Sequence, residues 1–411
     1  MSLTKIESIL SKELNTLKES GALKGNEMVV TKVLKPHDGS GPRYLIEGYN
    51  NKEFIKMNSN SYLGLALKPE LIAVEEEAAQ EFGVGPGAVR FISGTYKSHV
   101  ELEQNLASFH GKEAGMIFSS AYVTVMSVLY AMTTKDTIVI SDALNHNCII
   151  NGLRLSQPKD KNIYRHNNMA DLKSVVQESI GKCKRVLIIT DGIFSMRGDH
   201  APLSEIADIA EQYNSEFEEG IITIVDDSHG IGAVGETGRG TMEVTKEKRI
   251  DILIATLGKA LGVNGGYLVS TAKVVAFLRE KAPFYIYSNP ITVAEAMTAI
   301  KALEILNSST GRQLLKNLQG MISYFRKSLG DLGYETIDGK HPVVPLMIRD
   351  TKKTVQLVEY LKDKCVLSTG IYYPIVPKGD EEIRFQICAD HTKGDIDYVL
   401  NILKEYKGVS S

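Results

Sequence analysis

No run of apolar residues in this 411-residue chain approaches the roughly 20 needed to cross a bilayer, so no membrane span is expected. Basic residues are not in excess: 47 Lys and Arg face 50 Asp and Glu, a formal net charge of −3. That balance argues against a nucleic-acid or anionic-membrane partner, which would need a basic field. The four cysteines, Cys148, Cys183, Cys365 and Cys388, are scattered and form no CxxC pair. Buried reduced thiols are expected rather than a disulfide framework or a metal site. The opening Met1-Ser-Leu-Thr-Lys-Ile-Glu has no signal-peptide core, so a cytoplasmic location is expected. There is no internal repeat and no low-complexity tract. A nucleotide-binding P-loop is also missing: at Gly258-Lys259, Leu253 stands where the first glycine belongs and Ala260 where Ser or Thr belongs.

What is present is an ordinary globular composition, 43% hydrophobic and 24% charged, long enough for a large domain and a smaller one. Ile6, Ile9, Leu10, Leu14 and Leu17 fall at helical spacing and Gly21 stops the run, which predicts an amphipathic N-terminal helix packed on another part of the molecule. Residues 43–57 read as a hairpin turning at Gly48–Asn51. From about 67 to 285, helical patterns alternate with short apolar strands at Thr137–Ser141, Val186–Thr190, Ile221–Asp226, Ile252–Ala255 and Gly265–Ser270. Such alternation predicts an α/β fold with a mainly parallel sheet covered on both faces. Long helices follow over 291–330, then Pro342–Arg349, a helix at Thr354–Lys362, a strand at Ile383–Cys388 and a helix at Ile396–Tyr406. The expected division is an N-terminal helix and hairpin arm (1–66), a large domain (67–290) and a small α+β domain (291–411), closely packed.

The proposed strands end in polar clusters: Ser141-Asp-Ala-Leu-Asn-His146, Thr190-Asp-Gly-Ile-Phe-Ser195-Met-Arg-Gly198, Asp226-Asp-Ser-His229 and Thr256-Leu-Gly-Lys259. In an open parallel sheet the carboxyl ends of the strands hold the ligand. Lys259 follows a buried run, where desolvation would free its amine for Schiff-base chemistry, although a loop lysine on the surface fits the same motif. Phe118-Ser-Ser-Ala-Tyr122 opens a helix whose free N–H groups could hold a phosphate. A lysine for an aldehyde, a carboxylate for a pyridinium nitrogen and a phosphate cradle together fit pyridoxal 5'-phosphate.

At this point the chain resembles the α-oxoamine synthases, the acyl-CoA-using branch of fold-type I pyridoxal-phosphate enzymes. The likeness runs from Asn60-Ser-Tyr-Leu-Gly-Leu65 to Ile383-Arg-Phe-Gln386, through Arg90-Phe-Ile-Ser-Gly-Thr95, His99-x-Glu-Leu-Glu103 and Phe194-Ser-Met196. It implies a seven-stranded large domain that binds the cofactor, and a homodimer with shared active sites. It assigns Lys259 as Schiff-base lysine and proton-transferring base, Asp226 as partner of the pyridinium nitrogen, His229 to the phenolic oxygen and His146 to the ring face. Ser195 is placed near the ring oxygen. Ser120, Ala121, Tyr122 and Thr256 are placed at the phosphate, with Ser288 and Asn289 reaching it from the neighbouring subunit. Asn60 and Arg384 are assigned to the amino-acid carboxylate. The residues alone leave Asp226 open to a helix N-cap role and Arg384 to that of a surface cation.

Within the family, Tyr373-Pro-Ile-Val-Pro-Lys-Gly379 and Thr256–Gly262 are most similar to glycine C-acetyltransferase, which implies glycine and acetyl-CoA as substrates. Val100–Glu103 with Phe109–Glu113 leans towards 5-aminolevulinate synthase. Other branches with the same chemistry are 8-amino-7-oxononanoate synthase and serine palmitoyltransferase. An aminotransferase, a lyase or a non-catalytic paralogue are the readings outside it. Two departures bear on substrate choice: Val123-Thr-Val125 after the aromatic Tyr122, and Arg197 where the family commonly has an acidic residue.

Overall fold

The computed structural model describes residues 3–19, 23, 27–373 and 375–410; the stop expected at Gly21, and Pro374 of the Tyr373–Gly379 run, lie outside the described residues. Seven strands make the central sheet, in the order Ala114–Phe118, Gly266–Ser270, Ile252–Thr256, Ile221–Asp226, Arg185–Asp191, Thr137–Asp142, Asp160–Tyr164. Neighbours among the last five are parallel, and Gly266–Ser270 runs antiparallel to both of its neighbours. The α/β fold with a mainly parallel seven-stranded sheet is therefore as expected from sequence.

The strands read as unbroken apolar runs because alternate side chains enter two different cores. Ile138, Ile140, Val186, Ile188, Val225, Leu253 and Ala255 pack on one face. Val139, Leu187, Ile189, Ile224, Ile252 and Ile254 pack on the other, against Val125, Val128 and Leu129 of the helix Ala121–Met132. Two strands of this sheet escaped sequence reading. Asp160–Tyr164 is an edge strand of sequence Asp-Lys-Asn-Ile-Tyr, whose charges suit an exposed edge and hide the periodicity. Ala114–Phe118 is short and contains Gly115, whose Cβ position lies 2.5 Å from the Glu103 carbonyl oxygen.

Towards the C-terminus a second sheet, wholly antiparallel, runs Glu335–Thr336, Val343–Met347, Glu382–Gln386, Thr369–Ile371. The helical stretch over 291–330 divides into Val293–Asn307 and Ser309–Asp331, because the Ser308 hydroxyl caps the second helix by accepting the Thr310 and Gly311 N–H groups. Phe325 of that helix meets Phe385 edge to face, with ring centroids 5.4 Å apart.

The hairpin of Arg43–Ile46 and Glu53–Lys56 gains strand Val30–Leu34 on one side and, in parallel, Val366–Leu367 on the other. Its continuation is stitched to the C-terminal sheet: the Met57 carbonyl accepts from the Gln386 N–H and the Tyr62 carbonyl from the Ala389 N–H, both at 2.8 Å. A buried Arg43–Asp395 ion pair at 2.5 Å fastens the same two segments. These links carry Asn60 to Arg384 across the length of the chain.

The N-terminal helix forms as expected, over Thr4–Glu19, but the expected packing does not: none of its residues is buried. Ile6, Ile9, Leu10 and Leu14 all face outwards. Among the described residues, none buries that apolar stripe.

Gly266 is where sheet and helix meet most closely: a Cβ there would lie 2.2 Å from the Ala121 nitrogen and 2.3 Å from the Ser120 carbonyl carbon. Both are backbone atoms that cannot swing aside. Gly266→Ala should cost about 2 kcal/mol or more in urea unfolding, with no comparable loss for Gly320→Ala, whose Cβ position is open.

Candidate active site

Strand register sets the charges first. Asp191 and Asp226 are directly paired across neighbouring parallel strands, and Asp226 pairs with Ile254 on the next. Two carboxylates thus end at one level, both buried. Burial, with Asp226 alongside, pushes the Asp191 carboxyl well above the usual carboxylate range. Its Oδ2 accepts the His146 N–H at 2.9 Å. Asp226 takes the Ser228 N–H at 3.0 Å and the Cys148 thiol at 3.7 Å. Asp227, the next residue, points away into the fold: it accepts from both the N–H and the hydroxyl of Thr241 at 2.6 Å, and burial pushes its carboxyl up to about 7.

Lys259 sits in the loop after Ile252–Thr256. Thr256 braces that loop, its hydroxyl donating to the Gly265 carbonyl at 3.1 Å and accepting the Gly258 N–H at 3.0 Å. Gly262 has φ +74°, and a Cβ there would meet the Ala66 nitrogen at 2.6 Å, so only glycine closes the turn. Burial lowers the Lys259 amine below its ordinary value, partly opposed by Asp226 and Asp191. The surface-lysine reading is thereby removed.

His146 caps the helix Asn147–Ser156, its Nδ1 accepting the Cys148 N–H at 3.2 Å. Burial lowers its pKa, so the ring is neutral with its proton on Nε2. The ring stands 6.3 Å from that of Tyr122, near perpendicular. Tyr122 opens the helix Ala121–Met132, where the Ser120 hydroxyl accepts from Val123. The Ala121 and Tyr122 N–H groups thus stay without an acceptor among the described residues.

His229 lies across the sheet ends from His146. Its Nδ1 is 2.7 Å from the Tyr62 hydroxyl, which also reaches Asn60 Oδ1 at 3.3 Å. Burial, then Lys259, His341 and Arg384, hold His229 well below its ordinary pKa, so it is neutral. The shorter contact directs the tyrosine proton to Nδ1 and leaves Nε2 as the N–H donor. His341, itself pushed down to about 3 by burial, donates from Nε2 to the His229 carbonyl at 2.8 Å. Arg384 is largely buried and donates to the Ser195 carbonyl at 3.1 Å, so it is not a surface cation.

Lys259, Asp226, His146, His229, Thr256, Asn60, Ser195 and Arg384 are thus linked by contacts or by charge, with Ser120, Ala121 and Tyr122 at the adjoining helix start. Ser288 and Asn289 stand apart: the one side-chain hydrogen bond of Ser288 among the described residues is to the Asn289 carbonyl. Sequence reading missed Tyr62, Asp191 and His341 as members. Tyr62 lay inside the quoted Asn60–Leu65 motif, and Asp191 inside a quoted strand-end cluster. Nothing flagged His341. A cleft of about 1210 Å³ is lined by His341 but by none of the predicted site residues. Among the described residues no three His, Cys, Asp or Glu side chains are placed to hold a metal ion, and no helix is long and apolar enough to cross a membrane.

The donor set fits pyridoxal phosphate. It offers an amine whose protonation burial disfavours, the Asp226 carboxyl near enough to act on it by charge, a neutral imidazole N–H, and uncapped helix N–H groups behind a glycine that leaves room for close approach. The pattern of the family described as Aminotransferase class I and II matches residues 52–403. The chain belongs to that family. Its fold-type I members use pyridoxal phosphate.

The 8-amino-7-oxononanoate synthase of Thermosipho melanesiensis is 38% identical over 96% of either chain. That of Bacillus pumilus is 40% identical over 87% of this chain and 88% of its own. In three dimensions the chain is similar to the serine palmitoyltransferase of Sphingomonas wittichii, with TM-score 0.88, 25% identity, and 99% and 98% of the two chains covered. It is equally similar to the S. paucimobilis enzyme with bound PLP–myriocin aldimine, with TM-score 0.87, 26% identity and the same coverage. This family member is a pyridoxal-phosphate-dependent acyltransferase of the α-oxoamine synthase type. The narrower expectation of a glycine C-acetyltransferase is not supported, since these relatives carry another name. The motifs behind that expectation, Thr256–Gly262 and the run around Arg384, surround groups that any member needs for cofactor and amino acid, so they do not discriminate acyl chains.

Beside the site, His166 bridges two carboxylates, Asp142 at 3.0 Å and Asp199 at 2.9 Å. Burial opposes its protonation, but the two carboxylates outweigh it and raise its pKa from 6.5 to about 9. The folded state therefore holds a proton that the unfolded state releases across that window. Stability from this group is complete below pH 6.5 and lost as pH rises through about 9. Urea unfolding from pH 6 to 10 should show this decline in the native sequence and a flatter profile in His166→Gln.

Proposed function

We propose that the chain joins L-alanine to a seven-carbon dicarboxylic acyl thioester, giving 8-amino-7-oxononanoate, carbon dioxide and free thiol. The observation that carries the reaction type is the Lys259 amine at the end of strand Ile252–Thr256, on which burial disfavours the proton, with the Asp226 carboxyl and the Arg384 guanidinium fork acting on it by charge in the same site. The substrate choice is supported by the relatives' name, whose structure dictates its parts. In that product, carbons 8 and 9 with the amino group are alanine less its carboxylate, and the remaining seven carbons are the acyl chain.

In this reading Lys259 holds the cofactor's aldehyde carbon, Asp226 its ring nitrogen and His229, through Nε2–H, its phenolic oxygen, with Ser195 nearby. His146 covers one ring face as a neutral imidazole, adding no charge that would oppose a protonated ring. Ser120, Thr256 and the Ala121 and Tyr122 N–H groups take the phosphate. When bound, pyridoxal phosphate supplies the sink for the electron pair left on the substrate's α-carbon.

The rest is done by the chain. Arg384 and Asn60 hold the amino-acid carboxylate and so fix which α-bond stands towards Lys259. The Lys259 amine, whose protonation burial disfavours, takes the α-proton at Nζ. The freed pair forms the carbon–carbon bond to the thioester carbonyl, and the carbon–sulfur bond breaks to release CoA. The carboxylate then departs as carbon dioxide, and a proton returns to the α-carbon from Nζ.

A homodimer completes the site. The bare apolar stripe of Thr4–Glu19, with Phe91, Ile92 and Tyr287 exposed beside the isolated Ser288–Asn289 segment, supports a second copy that covers these residues and brings that segment to the phosphate.

Incubation with a panel of amino acids and acyl-CoAs, read by free thiol and product mass, should give turnover with alanine and the seven-carbon dicarboxylic thioester. Release of CoA from glycine and acetyl-CoA alone would refute the substrate reading. Lys259→Ala should lose the absorption band of lysine-bound cofactor and at least about 10³-fold in kcat. An unchanged band would end the central assignment.

A further inference from the structure

His166 faces a carboxylate at each ring nitrogen: Nδ1 lies 3.0 Å from Asp142 Oδ1 and Nε2 2.9 Å from Asp199 Oδ2. An ionised carboxylate only accepts, and a neutral imidazole has a single N–H to give, so the full bridge needs the imidazolium. The Asn167 amide, 3.4 Å from Nε2, is the weaker neighbour. The Phe194 ring meets the imidazole near perpendicular with centroids 4.4 Å apart, so packing holds the ring as well as charge. Of the other ionisable groups around it, Arg197 acts through Asp199 at 3.4 Å, and Arg165 pairs with Asp171 at 3.2 Å. Burial and Asp142 raise the Tyr164 hydroxyl, so that group stays neutral.

The two carboxylates belong to loops that carry different parts of the site. Asp142 ends strand Thr137–Asp142, and its Oδ1 also takes the Leu144 N–H at 2.8 Å, which shapes the run to His146. Asp199 closes the turn that starts at Phe194, its carbonyl taking the Phe194 N–H at 3.0 Å. Within that turn Ser195 gives its carbonyl to Arg384 Nη1 at 3.1 Å. We propose that His166 is a positioning residue that straps the loop carrying His146 to the turn carrying Ser195, and so sets the ring cover and the amino-acid clamp relative to each other. This rests on the reading of His146 as that cover and Arg384 as that clamp. A neutral ring can serve only one of the carboxylates, and the two do not lose equally. Asp142 keeps the N–H groups of Leu144 and of Asn167, the latter at 2.9 Å. Asp199 keeps only the long contact to Arg197 on Oδ2, while its Oδ1 is buried with no partner among the described residues. The turn is therefore the side that loosens. Burial opposes the proton, but the two carboxylates raise the His166 pKa from 6.5 to about 9, so the strap is complete at neutral pH and lost as pH rises through that value.

The test compares the holoenzyme with H166F, H166R and D199N. The readouts are the pyridoxal-phosphate dissociation constant, the alanine concentration that half-shifts the cofactor band, and the acyl-CoA KM. H166F keeps a ring but no donor, and should raise the alanine value about tenfold and the cofactor constant about threefold, with the acyl-CoA KM within about twofold. D199N cuts the strap on the turn side alone, and should raise the alanine value about fivefold with cofactor affinity nearly native. H166R, whose fork can donate to both carboxylates, should return to within about threefold of the native protein. From about pH 7 to 10 the alanine value of the native protein should rise relative to that of H166R, which keeps its charge, with a midpoint near 9. A ratio flat across that range, or an H166F loss spread equally over alanine and acyl-CoA, would overturn the strap. Should H166F fold poorly, D199N and the pH ratio decide, and a D199N with native alanine affinity would overturn it. A native protein whose band ignores alanine would overturn the substrate reading instead; the strap is then decided by the cofactor constant, and an H166F value equal to native would overturn it.

Discussion

Two carboxyl groups ending neighbouring strands at the same level, buried and with the Lys259 amine near enough to feel their charge, set the terms for the rest of this molecule. Parallel register puts Asp191 against Asp226, and the two cannot both ionise cheaply in a buried setting. The strain falls on Asp191, whose carboxyl is pushed well above the usual range by burial and by Asp226, and which takes the His146 N–H. The same desolvation that makes a lone carboxylate costly also disfavours the protonated form of the lysine. Stability and reactivity here draw on one physical cause.

Around that centre burial keeps the histidines neutral, and a different neighbour fixes the ring of each. His146 spends Nδ1 on a helix start, and His229 spends it on Tyr62, so both present an N–H rather than a charge. His166 is the exception: two carboxylates hold its proton, and it lies outside the set proposed to touch the cofactor. The site thus separates imidazoles that offer hydrogen bonds from one that balances charge.

Much of this was legible in the chain. Polar clusters after apolar runs marked the strand ends, and Lys259 with Asp226 followed from what a cofactor of that chemistry requires. What stayed hidden depended on distance. Tyr62 and His229 are 167 positions apart, and no local pattern says that they touch. The meaning of Asp191 needed the strand register. The edge strand Asp160–Tyr164 was hidden by its own charges, and the exposure of Ile6, Ile9, Leu10 and Leu14 could not be read from their spacing. The acyl chain stayed out of reach because the motifs that suggested one belong to the shared chemistry and not to whatever measures chain length.

The stitching of Met57 and Tyr62 to Gln386 and Ala389 has a consequence in time as well as in space. A ribosome emits the seven strands of the central sheet by Ser270, with every residue from Ser120 to Lys259 already threaded through it. The half of the site proposed to grip an amino acid waits for another hundred or so residues, because Asn60 acquires its neighbour Gln386 only when the last strand is made. Synthesis therefore completes the Lys259 loop first and the proposed grip last, once the C-terminal sheet has closed over the early hairpin.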